Sequence, residues 1–520
     1  MIKEIELSCS PEEAKNEYFL EKLIRKQFKL GENIALEFRW KRRSIDARSK
    51  HIKIRGVLLL GIEENLPRLG RIIDFKNVQN ASKTVHIIGA GPAGLFAALQ
   101  CIELGIKPIL FDRGKDVRER RRDLAILNKT GKINPESNYC FGEGGAGTYS
   151  DGKLYTRSKK RGDVEKVLHL FVQFGAKEDI LIDAHPHIGT NKLPQIISSI
   201  REFILQNGGE IHFNAKLTDL EIDKNLIRSI EINNSEKVKV QKVLLATGHS
   251  ARDIYYLLDH RNIKLEAKSF AIGVRVEHSQ DLIDQIQYKG RLNDDFLPPA
   301  SYNLVAQIED RGVYSFCMCP GGIIAPCATE EGEVVTNGWS PSKRNNPYSN
   351  SGIVVGIYPS DFKDVSNPFV CLNFQREIEQ KSFIMGGSRQ KVPAQRLLDF
   401  IENKKSIDFP KTSYQPGITS VNLNDIFPEF VHERLRKAFI EYGTKMPGYL
   451  TNDAVLHAPE SRTSSPISIP RCKDKFHHVD IKNLYPCAEG AGYAGGIVSA
   501  AIDGMNCITK IQENLDYKTN

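Results

Sequence analysis

Val85-His86-Ile87-Ile88-Gly89-Ala90-Gly91-Pro92-Ala93-Gly94-Leu95-Phe96 is the stretch that decides the fold of this 520-residue chain. It is an apolar run that ends in Gly-x-Gly-x-x-Gly, and helix-forming residues follow as far as Leu104. A second apolar run, Lys107–Phe111, then ends in Asp112. The pattern predicts a strand, a tight turn, a helix and a second strand that carries a carboxylate at its end.

Each glycine of this turn has its own physical role. Gly89 permits the tight turn, Gly91 allows the backbone to approach a pyrophosphate, and Gly94 lets the helix lie close to the strand. Asp112 follows about 20 residues later, where an acidic side chain hydrogen-bonds a ribose hydroxyl. The spacing predicts a dinucleotide site, and the alternative is a glycine-rich turn that binds nothing.

Length, composition and charge limit the class of protein. At 520 residues, 40% hydrophobic and 26% charged, the chain is expected to be globular, with two or three domains. A net charge of +8 suits an anionic cofactor or substrate without calling for nucleic acid. No apolar run reaches the roughly 18 residues of a membrane span, and the charged start has no signal-peptide core, so a cytoplasmic location is expected. The ten cysteines lack zinc-ligand spacing, and no metal site is expected.

Residues 1–80 form a separate small unit in this interpretation. Pro11–Phe28 has a helical pattern, and Ala35–Lys41 and His51–Leu60 alternate as strands. The basic stretch Trp40–Lys50 is placed between those two strands. Three roles stay open for it: binding an anion, packing on the next domain, or lying as a solvated loop.

A second informative stretch is Phe141–Leu154. Its glycines are too many for a core element, and they allow the backbone to lie against a flat ligand. The interleaved hydroxyl residues Thr148 and Ser150 favour an ordered surface over the alternative, a flexible loop. The five glycines are Gly142, Gly144, Gly145, Gly147 and Gly152.

Two later segments suit the same ligand. Ala246-Thr247-Gly248 ends an apolar strand, where a backbone can pass beside a dinucleotide. Near the C-terminus another apolar strand delivers Glu489, whose carboxylate can bond a polyol chain. Gly495-Gly496 then opens a helix of small residues, and its N-terminus can stabilise negative charge on a reduced ring.

The segment from 266 to 455 has mixed strands and loops without a nucleotide motif. Its most unusual piece is Cys317-Met318-Cys319. The two cysteines are either a redox pair or two packed thiols beside a turn. Alternate residues of a strand lie near the upper spacing for a disulfide, so strain is expected in a bridged pair.

These pieces in this order resemble a flavoprotein of the glutathione-reductase type. The resemblance implies that FAD is the ligand of the Gly89 turn and Asp112, and that Glu489 contacts the ribityl chain. The family usually has Gly-Asp where this chain has Ala488-Glu489, a departure that still offers a hydroxyl acceptor. No second Gly-x-Gly-x-x-Gly follows a strand later, so NADH or NADPH is expected only as a transient donor.

More closely, the chain is similar to the uncharacterised FAD-dependent dehydrogenases, also called NAD(P)/FAD-dependent oxidoreductases. The resemblance implies an α/β fold (α+β overall) with a Rossmann-like FAD-binding domain. The matching pieces are Arg42–Arg48, Phe141–Leu154, His187–Thr190, Cys317–Gly322, Val335–Gly338 and Arg462–Pro466.

The domain division follows from this likeness. We expect a small N-terminal α+β domain (1–80), an FAD-binding domain in two parts (81–265 and 456–520), and an inserted mixed α+β substrate or cap domain (266–455). The expected cofactor contacts are Gly89, Gly91, Pro92, Ala93, Gly94, Asp112, Arg113, Gly142, Gly144, Gly145, Ala146, Gly147, Thr148, Ala246, Thr247, Gly248, Glu489, Gly490, Gly495, Gly496 and Ile497.

The leading functional hypothesis is a hydride transfer between flavin N5 and a small organic substrate or a nicotinamide donor. His187, Glu460 and Arg462 are the candidates for proton transfer or substrate anchoring. The alternatives are a core-bonded histidine at His187 and an interface ion pair at Arg462. Two other classes stay open: a flavoprotein acting on nucleic acid through the first 80 residues, and a non-catalytic FAD-binding protein. The sequence leaves the substrate and the oligomeric state undetermined.

Overall fold

The structure is a computed structural model that describes residues 1–156, 162–290 and 295–516. Its strands are β1 (Ile2–Cys9), β2 (Leu36–Asp46), β3 (Lys53–Ile62), β4 (Thr84–Ile88), β5 (Lys107–Phe111), β6 (Glu210–His212), β7 (Leu217–Asp223), β8 (Leu226–Ile232), β9 (Glu236–Lys239), β10 (Val243–Leu245), β11 (Glu266–Ala267), β12 (Phe270–Ser279), β13 (Val305–Ile308), β14 (Arg311–Cys319), β15 (Ile323–Pro326), β16 (Thr336–Trp339), β17 (Tyr348–Ile357), β18 (Val392–Arg396), β19 (Ile418–Ser420), β20 (Val455–Glu460), β21 (Ile467–Ser468) and β22 (Leu484–Pro486). Its helices are α1 (Pro11–Lys15), α2 (Glu17–Phe28), α3 (Pro92–Leu104), α4 (Val117–Thr130), α5 (Val164–Gln173), α6 (Leu193–Gln206), α7 (Arg252–His260), α8 (Gln280–Gln287), α9 (Val370–Met385), α10 (Leu397–Ile401), α11 (Glu429–Lys445) and α12 (Ile497–Asp516).

The N-terminal sheet is antiparallel, with strand order β1-β3-β2. The helical pattern predicted over Pro11–Phe28 is confirmed, although the chain divides there into α1 and α2. Asn16 separates them, and its side chain accepts a hydrogen bond from the Phe19 amide at 3.0 Å, which caps α2. The placement of Trp40–Lys50 between two strands is wrong for its first seven residues, since β2 continues along β3 as far as Asp46.

The sheet that positions the site has five parallel strands in the order β22-β10-β4-β5-β6. Leu244 faces one core together with α3, α5, α6 and α12, whereas Val243 and Leu245 face a second core with β7, β8 and α7. Burial on both faces explains why these strands are apolar throughout. This arrangement confirms the α/β fold with a Rossmann-like unit.

A seven-stranded mixed sheet follows, in the order β13-β14-β17-β12-β20-β18-β19, and it packs on α8, α10 and α11. Two-stranded ribbons, β15 with β16 and β11 with β21, lie beside it. β20 pairs with β12 and β18, so this sheet extends beyond residue 455, where the predicted inserted domain ends. The domain division itself stays a prediction.

None of the helices in the described part of the chain is both long enough and apolar enough to cross a membrane.

Candidate functional site

The turn after β4 has the backbone that its glycines predict. Gly89 has a φ of +106°, and a Cβ built there would lie 2.4 Å from the Ala246 carbonyl oxygen. A Cβ at Gly94 would lie 1.9 Å from the Gly89 oxygen, so only glycine allows α3 this close to the strand. The turn therefore requires glycine at both positions for reasons of backbone geometry.

Asp112 stabilises this turn directly. Its two carboxylate oxygens accept the amides of Ala90 and Gly114, each at 2.8 Å, and the residue is buried. The side chain thus fixes the turn after β4 to the loop after β5. A carboxylate has further acceptor positions, so the same group can also receive a ribose hydroxyl.

A cavity of 390 Å³ lies where the carboxyl ends of β4, β5, β10 and β22 meet the N-termini of α3 and α12. In open parallel sheets this edge is the usual ligand position. The predicted site residues that line it are Gly89, Gly91, Pro92, Ala93, Asp112, Arg113, Gly142, Gly145, Ala146, Gly147, Ala246, Thr247, Gly248, Arg462, Glu489, Gly495, Gly496 and Ile497.

Four predicted contacts lie behind the cavity wall and support it by packing. Besides Gly94, they are Gly144, Thr148 and Gly490. A Cβ at Gly144 would lie 1.9 Å from the Thr148 hydroxyl, which itself donates to the Glu143 carbonyl at 2.9 Å. Gly490 packs on Gly248 in the same way, with 2.6 Å from a built Cβ to the Gly248 oxygen.

The glycine-rich stretch is an ordered loop, held by Arg120 of α4. The guanidinium of Arg120 is fully buried and donates to four carbonyl oxygens, those of Asn138, Tyr139, Gly142 and Glu143. The Glu143 carboxylate accepts the Val117 amide and the Arg201 side chain, each at 2.8 Å. Arg120 belongs to none of the motifs found in the sequence, which gave no signal for this role.

The cavity has room for a flat cofactor against its backbone. A Cβ built at Gly248, Gly495 or Gly496 would meet no atom within 4 Å, so these glycines face open space. The N-terminus of α12 begins beside them, and its amides favour a negatively charged group. The residues present therefore fit a dinucleotide that extends from Asp112 toward α12.

Glu489 is positioned at the same helix end. Its Oε1 accepts the Gly496 amide at 2.6 Å, and its Oε2 lies 3.8 Å from Nε2 of His249. Burial lowers the pKa of His249, which favours the neutral ring. His249 lines the cavity and was not among the predicted residues, since it follows Ala246-Thr247-Gly248 without any motif of its own.

Glu460 and Arg462, two of the three candidates for catalysis, are held in buried ion pairs. Glu460 binds Arg275 through two contacts of 2.7 and 2.9 Å, and both side chains are inaccessible to solvent. Arg462 lies 3.1 Å from both Glu333 and Glu379. Arg462 also lines the cavity, so it can contact a ligand there.

Arg252 of α7 is a second cationic partner of Glu333 and Glu379, and it lies 2.7 Å from each carboxylate. The four side chains form one buried network between α7, α9 and the segment after β20. This geometry is that of the interface ion pair considered for Arg462.

His187 lies outside this cavity. It lines a larger cleft of 1380 Å³ between the N-terminal sheet and α8, and its Nε2 is 3.2 Å from the Ser342 carbonyl oxygen. Burial, and then the nearby Arg344, lowers the pKa of His187. Arg344 also lines the cleft, and it binds Asp151, which lines the smaller cavity.

Five residues that also line the smaller cavity were not among the predicted site residues. They are Lys153, Phe316, Cys317, Asn337 and Thr463. Lys153 lies near the end of the glycine-rich stretch and Cys317 belongs to the unusual Cys-x-Cys. Both residues belong to stretches that stand out in the sequence, but nothing local indicated that the two stretches meet.

One group among the described residues has the donor spacing of a metal site: Cys487, Asp503 and Cys507. Its carboxylate already binds Arg471 at 2.6 Å and accepts the Ala488 amide at 2.7 Å. The buried arginine supplies the positive charge that a cation would bring, so the group is explained without a metal.

Comparison with known proteins bears on the identity of this chain. The family described as "FAD-dependent protein, C-terminal domain-like" matches residues 269–463, which supports FAD as the cofactor. A domain of unknown function matches residues 1–57.

Two solved structures resemble the chain at low similarity. One is a geranylgeranyl bacteriochlorophyll reductase-like protein from Thermoplasma acidophilum, 12% identical, with a TM-score of 0.36 and coverage of 84% of this chain and 80% of that one. The other is CtdE in complex with FAD, also 12% identical, with a TM-score of 0.30 and coverage of 84% and 90%. TM-scores this low do not establish a shared arrangement of domains.

An uncharacterized protein of Clostridium beijerinckii is far closer. It is 38% identical over 516 residues, which cover 96% of this chain and 96% of that protein. The chain therefore belongs to the same family as this Clostridium beijerinckii protein.

Proposed function

We propose that this chain is an FAD-dependent oxidoreductase that transfers a hydride between flavin N5 and an organic substrate or a nicotinamide nucleotide. The observation that carries the proposal is the 390 Å³ cavity at the carboxyl ends of four parallel strands, with two helix N-termini beside it. The FAD-dependent domain matched over 269–463 supports the same cofactor. The orientation that we propose for FAD is that of the glutathione-reductase type.

The sheet order gives the cavity two ends. Asp112 follows β5 and Glu489 follows β22, and three strand spacings, about 14 Å, separate those strands. We assign the adenosine half of the cofactor to the end with Asp112 and Arg113. The flavin half is then assigned to the end with Gly495 and the glycine-rich loop.

Bound there, FAD would supply the hydride-accepting ring. The chain contributes orientation through the Gly145–Gly147 backbone, and it covers the cavity with Lys153 and Cys317. The Lys153 ammonium donates to the Met318 carbonyl, which ties the glycine-rich loop to β14. These two residues are the ones we expect nearest to a substrate at the flavin end.

The larger cleft is the proposed approach for that substrate or donor. Arg344 in its wall binds Asp151, which lines the smaller cavity. The cleft therefore ends where that cavity, the FAD cavity of this proposal, begins. Seven basic side chains line the cleft, against one acid, Asp183. Four of the seven are paired with carboxylates, and the charge that favours an anionic ligand comes from the other three, Lys15, Lys289 and Lys343. The basic residues are Lys15, Arg43, Arg48, Lys289, Lys343, Arg344 and Lys445.

The nucleic-acid alternative depended on the basic stretch of the N-terminal unit. Arg43 of that stretch binds Asp183 at 2.6 Å, and Arg48 binds Asp46 at 2.7 Å. Because these cations already have carboxylate partners, the stretch gives that alternative no support. The non-catalytic alternative stays open until turnover is measured.

The proposal is tested by the absorbance spectrum of the purified full-length protein, followed by anaerobic addition of NADH and then NADPH. Flavin bands that one nucleotide bleaches within seconds are the expected result, and they identify the donor. If neither nucleotide reduces the bound flavin, the electron donor is an organic substrate and not a nicotinamide nucleotide. Absence of flavin even after incubation with FAD would overturn the proposal.

A further inference from the structure

Cys317 lies at an irregular point of β14, within the wall of the FAD cavity. The pairing of β14 with β17 shifts register between Phe316 and Cys319. Cys317 itself has a φ of +45°, a left-handed conformation that costs a non-glycine residue energy. Such strained positions cluster at functional sites, because the surrounding structure must hold them in place.

Two cations hold this segment. The Lys153 ammonium donates to the Met318 carbonyl, and the Arg275 guanidinium donates to the Cys317 carbonyl at 3.3 Å. Arg275 is fully buried and Lys153 is half-buried, so their charges are less screened than those of exposed side chains.

The acids that face this position are neutralised by arginines. Asp151 binds Arg344 at 2.7 Å, and Glu460 binds Arg275 at 2.7 Å. Counting Lys153 as well, the charges around Cys317 sum to one net positive charge. That surplus favours a thiolate at Cys317.

Cys319 also affects the charge state of Cys317. It is fully buried, and its sulfur lies 3.2 Å from the Cys317 carbonyl oxygen, within reach as a donor. Hydrogen bonding by Cys319, together with Lys153 and Arg275, outweighs burial and lowers the pKa of Cys317 to about 5. The pKa of Cys319 lies well above its ordinary value, so Cys319 stays protonated as the donor.

We propose that Cys317 is a reactive thiolate, and that the FAD cavity is also a nucleophilic site for small disulfides. In the step, the Cys317 sulfur attacks one sulfur of a disulfide RSSR. The S–S bond breaks, RS⁻ leaves, and a mixed disulfide Cys317–S–S–R forms, with no further oxidant or reductant required. The proposal uses the cavity of the proposed function, but the thiolate does not need FAD.

The test uses the full-length protein with its FAD and after removal of FAD, with the anionic aromatic disulfide 5,5′-dithiobis(2-nitrobenzoate) as the probe. At about pH 6 an ordinary thiol is almost entirely protonated. We expect a rapid release of one thionitrobenzoate per FAD-free chain, at least tenfold faster than from the same cysteines in urea. Cys317→Ser abolishes this phase, whereas Cys472→Ser, at a half-buried cysteine outside the cavity, keeps it.

Lys153→Gln should move the pH midpoint of iodoacetamide alkylation at Cys317 upward, because it removes one of the stabilising cations. FAD should slow the reaction of Cys317 with the probe and leave Cys472 unaffected. A rapid phase that persists in Cys317→Ser, or no rapid phase in the FAD-free chain, would overturn the proposal. A rapid phase in a protein that never binds FAD would support the thiolate and contradict only the proposed function.

Discussion

Asp151 and Arg344 form an ion pair between the smaller cavity and the larger cleft. The guanidinium of Arg344 meets the carboxylate of Asp151 through two contacts, of 2.7 and 3.2 Å, although 193 residues separate them in the chain. Asp151 is 1% exposed on the side of the FAD cavity, and Arg344 is 12% exposed on the side of the cleft. The ion pair thus forms the partition between the proposed approach of the substrate and the proposed position of the flavin.

Arg344→Gln is expected to destabilise the protein by about 3 kcal/mol, because it leaves a buried carboxylate without its main partner. Burial opposes ionisation of Asp151, but Lys153 and Arg344 outweigh it and lower its pKa. Urea unfolding at neutral pH measures the loss. Asp151→Asn combined with Arg344→Gln should recover most of it.

The exposed pair Lys41–Glu4 is the matched control for that cycle. Its side chains are 52% and 49% exposed, so Lys41→Gln should cost less than about 1 kcal/mol. Equal losses at the two pairs would contradict the structural role of Asp151 and Arg344.

Gly495→Ala tests the open space at the flavin end of the cavity. A Cβ there meets no atom within 4 Å and its φ is not left-handed, so the variant should fold with unchanged stability. The added methyl group occupies cofactor space, and we expect FAD affinity to fall by roughly tenfold, about 1.4 kcal/mol. Fluorescence titration of FAD into the cofactor-free protein measures the change. Gly31→Ala, equally free of neighbours but outside the cavity, should bind FAD as before.

Glu143 predicts a pH dependence for the glycine-rich loop. Burial outweighs the Val117 amide and Arg201, and raises the pKa of Glu143 from 4.5 to about 7. The folded carboxyl therefore holds its proton more tightly than the unfolded one. Its contribution to stability is present below about pH 4.5 and is lost as the pH rises to about 7, a change of about 2.5 kcal/mol.

The change that isolates this contribution is Glu143→Gln, followed by urea unfolding at several pH values. The stability of the variant should rise relative to the unaltered protein as the pH increases from 4.5 to 7. Glu32→Gln, at an exposed glutamate after α2, should show a difference that does not vary in this way. A constant difference for Glu143→Gln as well would mean that Arg201 keeps the buried carboxylate charged throughout.

The features that the sequence predicted well are local ones. Gly89, Gly94 and Asp112 fall within one strand–helix–strand unit, so their spacing alone determines how they meet. Lys153 and Met318 are 165 residues apart, and their contact depends on how β14 approaches the glycine-rich loop. No periodicity or motif encodes such an approach.

The same limit applies to the predicted catalytic residues. Glu460 was a candidate for proton transfer or substrate anchoring, and the structure pairs it with Arg275, 185 residues away. A charged side chain in a sequence does not reveal its partner. Its chemistry, as an ion pair or as a free acid, is decided by tertiary packing.

Lys343→Glu tests the charge of the cleft. The side chain is exposed in the cleft wall, next to Arg344. Reversing one charge about 7 Å from an anionic ligand in a water-like medium changes binding by about 1.2 kcal/mol, or roughly eightfold. We expect the apparent Kd of the reducing nucleotide in anaerobic stopped-flow to rise by that factor, with the limiting rate of flavin reduction unchanged. Added salt should shrink the effect. Lys381→Glu makes the same charge change on α9, outside the cleft, and should leave the Kd as it was; an equal rise in both variants would mean that net charge, not the cleft, attracts the ligand.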